Sequence, residues 1–340
     1  MSAFALCLVL TAHSQTPAAP PVTAETLRAQ LDAHGPKHFR GMVYIEQAGK
    51  EAFFHSVGLA DPESKRPFTR ETGICIGSIV KPMVRTALLR LVEAGKLGMG
   101  DRLEKFFSKV PADKQAITIQ HLAEHTAGFQ DVFGGDYEPM KRDELISKML
   151  ASKLLFEPGA RDEYSNAGYS MLSTVLEKAS GESIEKLIAR LEFQPLGLQK
   201  TGYVLPKWKT QDLAAGTTRQ GKRWGTPLDH FWYPDGPSWN LRGNGGMIST
   251  VKDLARWARA LHEGEILSKE SHRLLVPAFY EPDGARRIWS SAGGNGIINT
   301  VVYYNPGKRM VMVAASLDGR FEIESDKDLV RNAYRMLPAL

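Results

Sequence analysis

Residues 76–92 read IGSIVKPMVRTALLRLV, a strong helical pattern. Ser78 and Lys81 are three positions apart, so on a helix their side chains lie on one face, side by side. Because proline is tolerated only in the first turn of a helix, Pro82 requires the helix to begin at or just before Ser78, and Gly95 indicates its end. A serine at such a start lies near backbone N–H groups and the positive end of the helix dipole, which favour a developing negative charge.

The spacing of Ser78 and its lysine suggests catalysis but does not establish it. A neutral lysine amine could take the hydroxyl proton and make Ser78 a nucleophile. Ser-x-x-Lys occurs twice more, beginning at Ser183 and at Ser249. Both precede helical patterns, so helix capping accounts for them, with Thr250 and Asp253 resembling a capping box. For Ser78 a helix cap and a nucleophile both remain open at this point.

Two later segments offer partners for this pair. Tyr164-Ser-Asn166 follows a Glu-Pro-Gly turn, with Asn166 opening the next helix. A phenol near a lysine ammonium can act as a general base, and an asparagine amide can donate to a substrate carbonyl. In Ser291-Ala-Gly293-Gly294, small residues would let a substrate lie along a strand edge. The alternatives are a loop tyrosine with a capping asparagine and an ordinary glycine loop.

Strand patterns lie at both ends of the chain and helical patterns lie between them. Apolar segments separated by turn signals predict two hairpins. Their expected strands are residues 42–47 and 52–57 in the first hairpin, and 300–304 and 310–315 in the second. Terminal amphipathic helices are expected at residues 23–33 and 326–336.

The economical assembly is an α/β fold of the α+β type: an antiparallel sheet formed from both chain ends, flanked by helices, with an inserted, mainly helical lobe. We expect a single domain of two lobes over residues 22–340. The sheet lobe would comprise about 22–77 and 282–340, and the helical lobe about 78–281. A cleft between the lobes is the natural place for a substrate.

Composition narrows the partners and the compartment. The 340-residue chain is 43% hydrophobic, and its net charge of +5 is scattered without a basic run, which disfavours nucleic acid. Residues 3–12 are a short apolar run followed by small residues, so residues 1–21 are expected to be a signal peptide and linker of a periplasmic or secreted bacterial protein. The run is too short for a membrane span. With Cys7 removed, Cys75 would be a lone buried cysteine, without a disulfide.

The ordered segments resemble the penicillin-recognising serine hydrolases, specifically the class C β-lactamase-like branch. That branch also holds D,D-peptidases, D-amino-acid amidases, carboxylesterases and acyltransferases. The resemblance runs from about Gly41 to Gly319. Its matching segments are IGSIVKP (76–82), LVEAGKL (91–97), ITIQHLAEHTAG (117–128), EPG (157–159), YSNAGY (164–169), QPLG (194–197) and GGMISTVKDL (245–254).

The resemblance implies a β-lactamase/transpeptidase-like fold and a role for each matching residue. Ser78 resembles the acylated nucleophile, and Lys81 with Tyr164 resembles the coupled base. Asn166 resembles the residue that orients substrate and lysine. The N–H groups of Ser78 and Gly294 match the oxyanion hole, to which Gly293 is adjacent. The implied reaction is two-step acyl transfer on a small-molecule or peptide acyl substrate, with no cofactor and no metal.

One position departs from the family pattern. The third motif usually begins with Lys or His, which helps to bind a substrate carboxylate, whereas the matching residue here is Ser291. A neutral hydroxyl loses a charge-assisted bond of about 1.5–3 kcal/mol, which disfavours efficient β-lactamase action. The expected function is therefore carboxylesterase-type or β-lactamase-related hydrolysis through an acyl-enzyme on Ser78. The alternatives are a β-lactamase, a D-Ala-D-Ala carboxypeptidase or D-aminopeptidase, and a non-catalytic penicillin-binding or sensor-like protein, which Ser291 favours.

Two other patterns have competing interpretations. His121-Leu-Ala-Glu-His125 matches the H-x-x-E-H metallopeptidase pattern. However, Thr118 can cap this short helix, Gly128 ends it and no third ligand is evident, so zinc is disfavoured. Five aromatic residues crowd a Pro/Gly-rich stretch, where they would either wall an apolar acyl pocket or pin a loop to the core. They are Trp224, Phe231, Trp232, Tyr233 and Trp239.

Overall fold

A computed structural model gives the fold and describes residues 23–280 and 287–319. The helices are α1 Ala24–His38, α2 Val80–Glu93, α3 Ile119–Ala123, α4 Arg142–Ala151, α5 Asn166–Ser180, α6 Ile184–Ile188, α7 Val251–Glu263 and α8 Lys269–Leu275. The strands are β1 Gly41–Gln47, β2 Lys50–Val57, β3 Leu59–Asp61, β4 Arg66–Pro67, β5 Ile74–Cys75, β6 Thr201–Gly202, β7 Gly216–Thr217, β8 Arg223–Gly225, β9 Trp232–Tyr233, β10 Gly236–Pro237, β11 Ile248–Ser249, β12 Trp289–Gly294, β13 Asn299–Asn305 and β14 Met310–Ser316. The expected signal segment and the helix expected at residues 326–336 lie outside the described residues.

The predicted antiparallel sheet from both chain ends is confirmed. Its strand order is β12-β13-β14-β1-β2, and β1 pairs with β14 so that the two expected hairpins become neighbours. One face of the sheet packs on α1 and the other on α7. Because both faces are covered, the apolar run of β14 is buried along its whole length. At one end of this strand order, β12 is an edge strand, and it lies next to the segments from the middle of the sequence.

The predicted helix start at Ser78 is confirmed. A 3₁₀ turn over Gly77–Ile79 leads directly into α2, which leaves Pro82 in the first helical turn. Beyond the helix end, Gly95 adopts a φ of 67°, a left-handed conformation that glycine accepts without strain. Within residues 23–280 and 287–319, no helix is both long and apolar enough to span a bilayer.

The middle of the chain is less helical than predicted. Between residues 201 and 249 the structure has the short strands β6 to β11 and two 3₁₀ turns. This stretch is rich in glycine, and several of its glycines have a positive φ, so the backbone turns too often for a helix to propagate. In addition, α1 ends at His38 rather than near residue 33.

The capping prediction for Thr250 is only half right. Thr250 caps α7 by accepting the N–H of Asp253 at 3.2 Å. The Asp253 carboxylate does not accept the backbone N–H of Thr250, as a capping box requires. It accepts the N–H of Lys200 at 2.8 Å instead. Ser249 lies in β11, where its hydroxyl is 2.8 Å from that of Thr201.

The prediction that the Ser183 hydroxyl caps a helix is wrong. Ser183 occupies the N-cap position of α6, but its side chain makes no capping hydrogen bond. The Glu177 carboxylate accepts the N–H of Ile184 at 2.9 Å instead. A tertiary contact therefore replaces the local cap that the sequence suggested.

Candidate active site

The backbone of the β12 edge packs directly against the turn that carries Ser78. A Cβ on Gly293 would collide with the backbone nitrogen of Ser78, and a Cβ on Gly77 would collide with that of Gly294. Gly77 also has a φ of 47°. Only glycine fits this close approach. The N–H groups of Ser78 and Gly294 consequently lie at one junction, where sequence reasoning expected an oxyanion hole.

The structure brings four of the five polar residues of the predicted site into one hydrogen-bonded cluster: Ser78, Lys81, Tyr164 and Asn166. The Ser78 hydroxyl is partly exposed and lies 2.7 Å from the Tyr164 hydroxyl and 3.0 Å from Lys81 Nζ. Lys81 is only 5% exposed, and its Nζ donates to Asn166 Oδ1 at 2.7 Å and to the Asn244 carbonyl at 2.6 Å. Residues from α2, from α5 and from two loops thus converge on one hydroxyl group.

The start of α5 differs in detail from the prediction. Ser165, not Asn166, is the N-cap, and its hydroxyl accepts the N–H of Gly168 at 3.0 Å and donates to the Gln130 carbonyl at 3.0 Å. Asn166 is the first residue of the helix, so its side chain is not used for capping. That side chain is therefore free to contact Lys81.

Sequence reasoning missed Asp131 and Asn244 as parts of this site. Asp131 Oδ1 accepts both the backbone N–H and the side-chain Nδ2 of Asn166, each at 2.9 Å. Asn244 contributes only its backbone carbonyl. Both lie in loops without periodicity or motif spacing, so no local signal identified them.

His125 also contacts the site. Its Nδ1 accepts the N–H of Ser165 at 3.1 Å, and its ring stacks on the Tyr164 ring with centroids 4.7 Å apart. Burial, together with the positive charge of Lys81, lowers the pKa of His125 to about 3. A neutral imidazole therefore supports the tyrosine ring without adding a second positive charge.

Burial also shifts the pKa values of Lys81 and Tyr164. Loss of hydration lowers the pKa of Lys81 to about 7, although the carboxylates of Asp131 and Asp136 act in the opposite direction. Burial raises the pKa of Tyr164 above its ordinary value, and the hydrogen bond from Ser78 offsets only part of that effect. Near neutral pH the cluster thus holds a substantial fraction of neutral amine beside a protonated phenol.

Ser291 lies in a strand rather than in a loop. It pairs with Val302 in β12, the edge strand of the sheet. Ser291 and Gly293 are two residues apart and both half-buried, so they share one face of the strand. Because a Cβ on Gly293 would meet the backbone nitrogen of Ser78, that face is the one directed at the turn that carries Ser78.

The geometry that the H-x-x-E-H pattern requires is not formed. The helix α3 ends at Ala123, and His125 lies beyond it with a φ of 60°. Nδ1 of His121 accepts the N–H of Thr118, as Nδ1 of His125 accepts that of Ser165. Among the described residues, no group of three His, Cys, Asp or Glu side chains is placed to hold a metal.

Cys75 is buried as predicted, which raises the pKa of its thiol to about 11.

In the aromatic stretch, the interpretation as a loop pinned to the core is confirmed for two residues. Trp239 is buried against the Arg242 guanidinium, and Trp232 packs edge-on against the core residue Tyr203, so these two pin the segment to the protein. Trp224 instead stacks with His230, at a centroid distance of 4.2 Å. Phe231 packs edge-on against Tyr233, at a centroid distance of 4.8 Å, and the acyl-pocket interpretation stays a hypothesis for these residues and Trp224.

Comparisons with known proteins agree with this fold. The chain is 30% identical to a penicillin-binding protein of Bacillus subtilis (strain 168) over 72% of its own length and 57% of that protein. It is 28% identical to esterase EstB of Burkholderia gladioli over 57% of its length and 56% of the esterase, so it spans little more than half of either relative. A penicillin-binding protein homologue from Pyrococcus abyssi, described as octameric, has a similar fold: the TM-score is 0.75 at 24% identity, over 92% of this chain and 76% of that one.

The family assignment follows from the sequence match. Residues 27–334 match the model of the beta-lactamase family, and this range includes every residue of the cluster around Ser78. The chain therefore belongs to the beta-lactamase family.

Proposed function

We propose that this protein is a serine hydrolase that forms an acyl-enzyme on Ser78 and acts on uncharged carboxylic esters. The observation that carries the proposal is the contact of one partly exposed hydroxyl with both Lys81 and Tyr164, at 3.0 and 2.7 Å. A nucleophile within hydrogen-bond reach of a base is the arrangement that covalent catalysis requires.

The three neighbours of Lys81 Nζ suit it to be that base. Two of them, Asn166 Oδ1 and the Asn244 carbonyl, can only accept hydrogen bonds. A neutral amine has two N–H groups and one lone pair. When both N–H groups are donated to these two oxygens, the lone pair is left for the third neighbour, the Ser78 hydroxyl.

The proton movements balance through Lys81. Ser78 Oγ attacks the ester carbonyl while Lys81 takes its proton, and the oxyanion is stabilised by the N–H groups of Ser78 and Gly294. The bond to the alcohol then breaks, and the alcohol leaves with the proton that Lys81 took from Ser78, while the Tyr164 hydroxyl stays protonated beside Oγ. Water, deprotonated by Lys81, attacks the acyl-enzyme, and Ser78 regains its hydroxyl proton as the acid is released.

The neutral side chain of Ser291 sets the preference among acyl substrates. It lies in the edge strand β12, on the face directed at the turn that carries Ser78. A cation there would pair with a substrate carboxylate, whereas a hydroxyl offers only a neutral hydrogen bond. One relative, which aligns with 57% of this chain, is named an esterase. Both observations favour esters without a carboxylate over β-lactams.

A substrate panel tests this preference. We expect kcat/KM for p-nitrophenyl acetate and butyrate to exceed that for nitrocefin, which carries a carboxylate, by at least about tenfold. In Ser291→Lys, nitrocefin hydrolysis should rise by about 10- to 100-fold, because the charge-assisted bond is restored. Faster hydrolysis of nitrocefin than of the esters by the wild type, or no rise in the variant, would contradict the proposed preference.

The pH dependence tests the base. Because the neutral form of Lys81 accepts the proton, kcat/KM for an ester should rise with pH through an apparent pKa of about 7 and then level off. Since the pKa of Tyr164 is raised, its phenol stays protonated and no alkaline decline should begin before about pH 9. Steady-state rates across this range give the profile. An acid limb at about pH 4 would instead identify a carboxylate as the base.

A further inference from the structure

The orientation of the Asn166 amide decides what Lys81 can do. Its Oδ1 accepts a hydrogen bond from Lys81 Nζ at 2.7 Å. An asparagine amide has an accepting end and a donating end. If the amide were turned over, its NH₂ group would face the lysine N–H groups, donor against donor. A neutral lysine would then turn its lone pair toward that NH₂ group and away from Ser78.

Asp131 is the residue that prevents this inversion. One carboxylate oxygen, Oδ1, accepts both the backbone N–H and the side-chain Nδ2 of Asn166, each at 2.9 Å. The backbone carbonyl of Asp131 also accepts the N–H of Ala167 at 2.8 Å, which anchors this loop to the start of α5. An ionised carboxylate can only accept, so it is compatible with one amide orientation, the one that places Oδ1 on Lys81.

We propose that Asp131 is a positioning residue: by holding the Asn166 amide, it fixes the acceptor for one Lys81 N–H and so directs the lysine lone pair at Ser78. This inference rests on the proposed function, because Asp131 can only position the base if Lys81 is the base. Asp131 is exposed. Its carboxylate bonds to Asn166, and Asn166 in turn bonds to Lys81, so Asp131 acts on the lysine through Asn166.

Asp131 also acts on Lys81 through its charge, which gives a readout that a purely structural role would not change. The groups around the lysine amine are the carboxylates of Asp131 and Asp136, the neutral imidazole of His125, and the phenols of Tyr164 and Tyr169; Arg85, on the same helix, acts on His125 and Tyr169. The Asp131 carboxylate favours the protonated lysine, so its removal should lower the lysine pKa further.

Two substitutions separate the hydrogen bonds from the charge. In Asp131→Asn, the amide oxygen can still accept both Asn166 N–H groups, so the plateau of kcat/KM for p-nitrophenyl acetate should stay within about threefold of wild type, while the acid limb moves to lower pH. In Asp131→Ala both bonds are lost, and the plateau should fall by about 10- to 100-fold. Asp143→Ala removes a carboxylate whose side chain is 87% exposed on α4 and serves as the matched control, with no expected change.

The outcomes distinguish this inference from the proposed function. Each variant is also titrated with a fluorophosphonate, and its melting temperature is measured to establish that it is folded. Any of three outcomes would show that Asp131 does not position the base. Asp131→Ala hydrolyses p-nitrophenyl acetate at the wild-type rate, or the plateau of kcat/KM falls as far in Asp131→Asn as in Asp131→Ala. The third is that the acid limb of Asp131→Asn does not move. If wild type itself forms no adduct at Ser78, the proposed function fails, whatever the Asp131 variants do.

Discussion

Ser78→Ala is expected to lower kcat/KM for p-nitrophenyl esters by at least about 10⁴-fold. The Ser78 hydroxyl lies within hydrogen-bond reach of both Lys81 and Tyr164, so the substitution removes the group that the substrate would acylate. The fold should survive, because the side chain is only partly buried and loses two hydrogen bonds at most. Initial rates and a thermal melt on the purified variant measure both effects.

Ser183→Ala is the matched control for this prediction. Ser183 begins a Ser-x-x-Lys segment with the same spacing, but its side chain makes no capping hydrogen bond at the start of α6. Activity should remain within about twofold of wild type. Comparable losses in both variants, or substantial ester hydrolysis by Ser78→Ala, would show that Ser78 is not the nucleophile.

Lys81→Met is expected to lower kcat/KM by about 10³-fold or more, because the base that takes the Ser78 proton is removed. Two effects on stability oppose each other. Folding no longer has to bury an amine, but the carbonyl oxygens of Asn166 and Asn244 each lose a hydrogen bond of about 1 kcal/mol. The melting temperature should therefore change little while activity is lost.

Lys114→Met provides the comparison with a buried lysine elsewhere. The Lys114 side chain is 2% exposed, and its Nζ lies 2.7 Å from the Asp113 carboxylate, outside the cluster. This variant should keep its activity, and its stability should change little, because the Asp113 side chain is 51% exposed and stays hydrated when it is unpaired. If Lys81→Met retained activity, or lost it only in proportion to a loss of folded protein, Lys81 would not be the base.

The features that the sequence predicted well are those with local physical causes. The hairpins were predictable because strand patterns flank turn residues such as Asn305-Pro-Gly-Lys308, and the sheet followed once both hairpins needed a partner. The position of Ser78 followed from the restriction that Pro82 places on the helix. These constraints act within a few residues, so they can be read from one sequence.

The features that were missed depend on tertiary contacts. Asp131 reaches Asn166 across 35 residues, and Asn244 contributes a backbone carbonyl that no side-chain pattern reports. Ser165 displaced Asn166 as the cap, because its hydroxyl also bonds to the Gln130 carbonyl. The short strands between residues 201 and 249, within the mainly helical lobe that the sequence predicts, are stabilised by pairing such as that of β11 with β5. Predicting these details would have required knowing which segments meet.

Mass spectrometry of the fluorophosphonate-treated protein tests the central claim most directly. After digestion, we expect a single phosphonyl adduct on the peptide that carries Ser78, formed in step with the loss of ester hydrolysis and absent from Ser78→Ala. An adduct on another residue that accompanies inactivation, or complete inactivation without any adduct at Ser78, would contradict that claim.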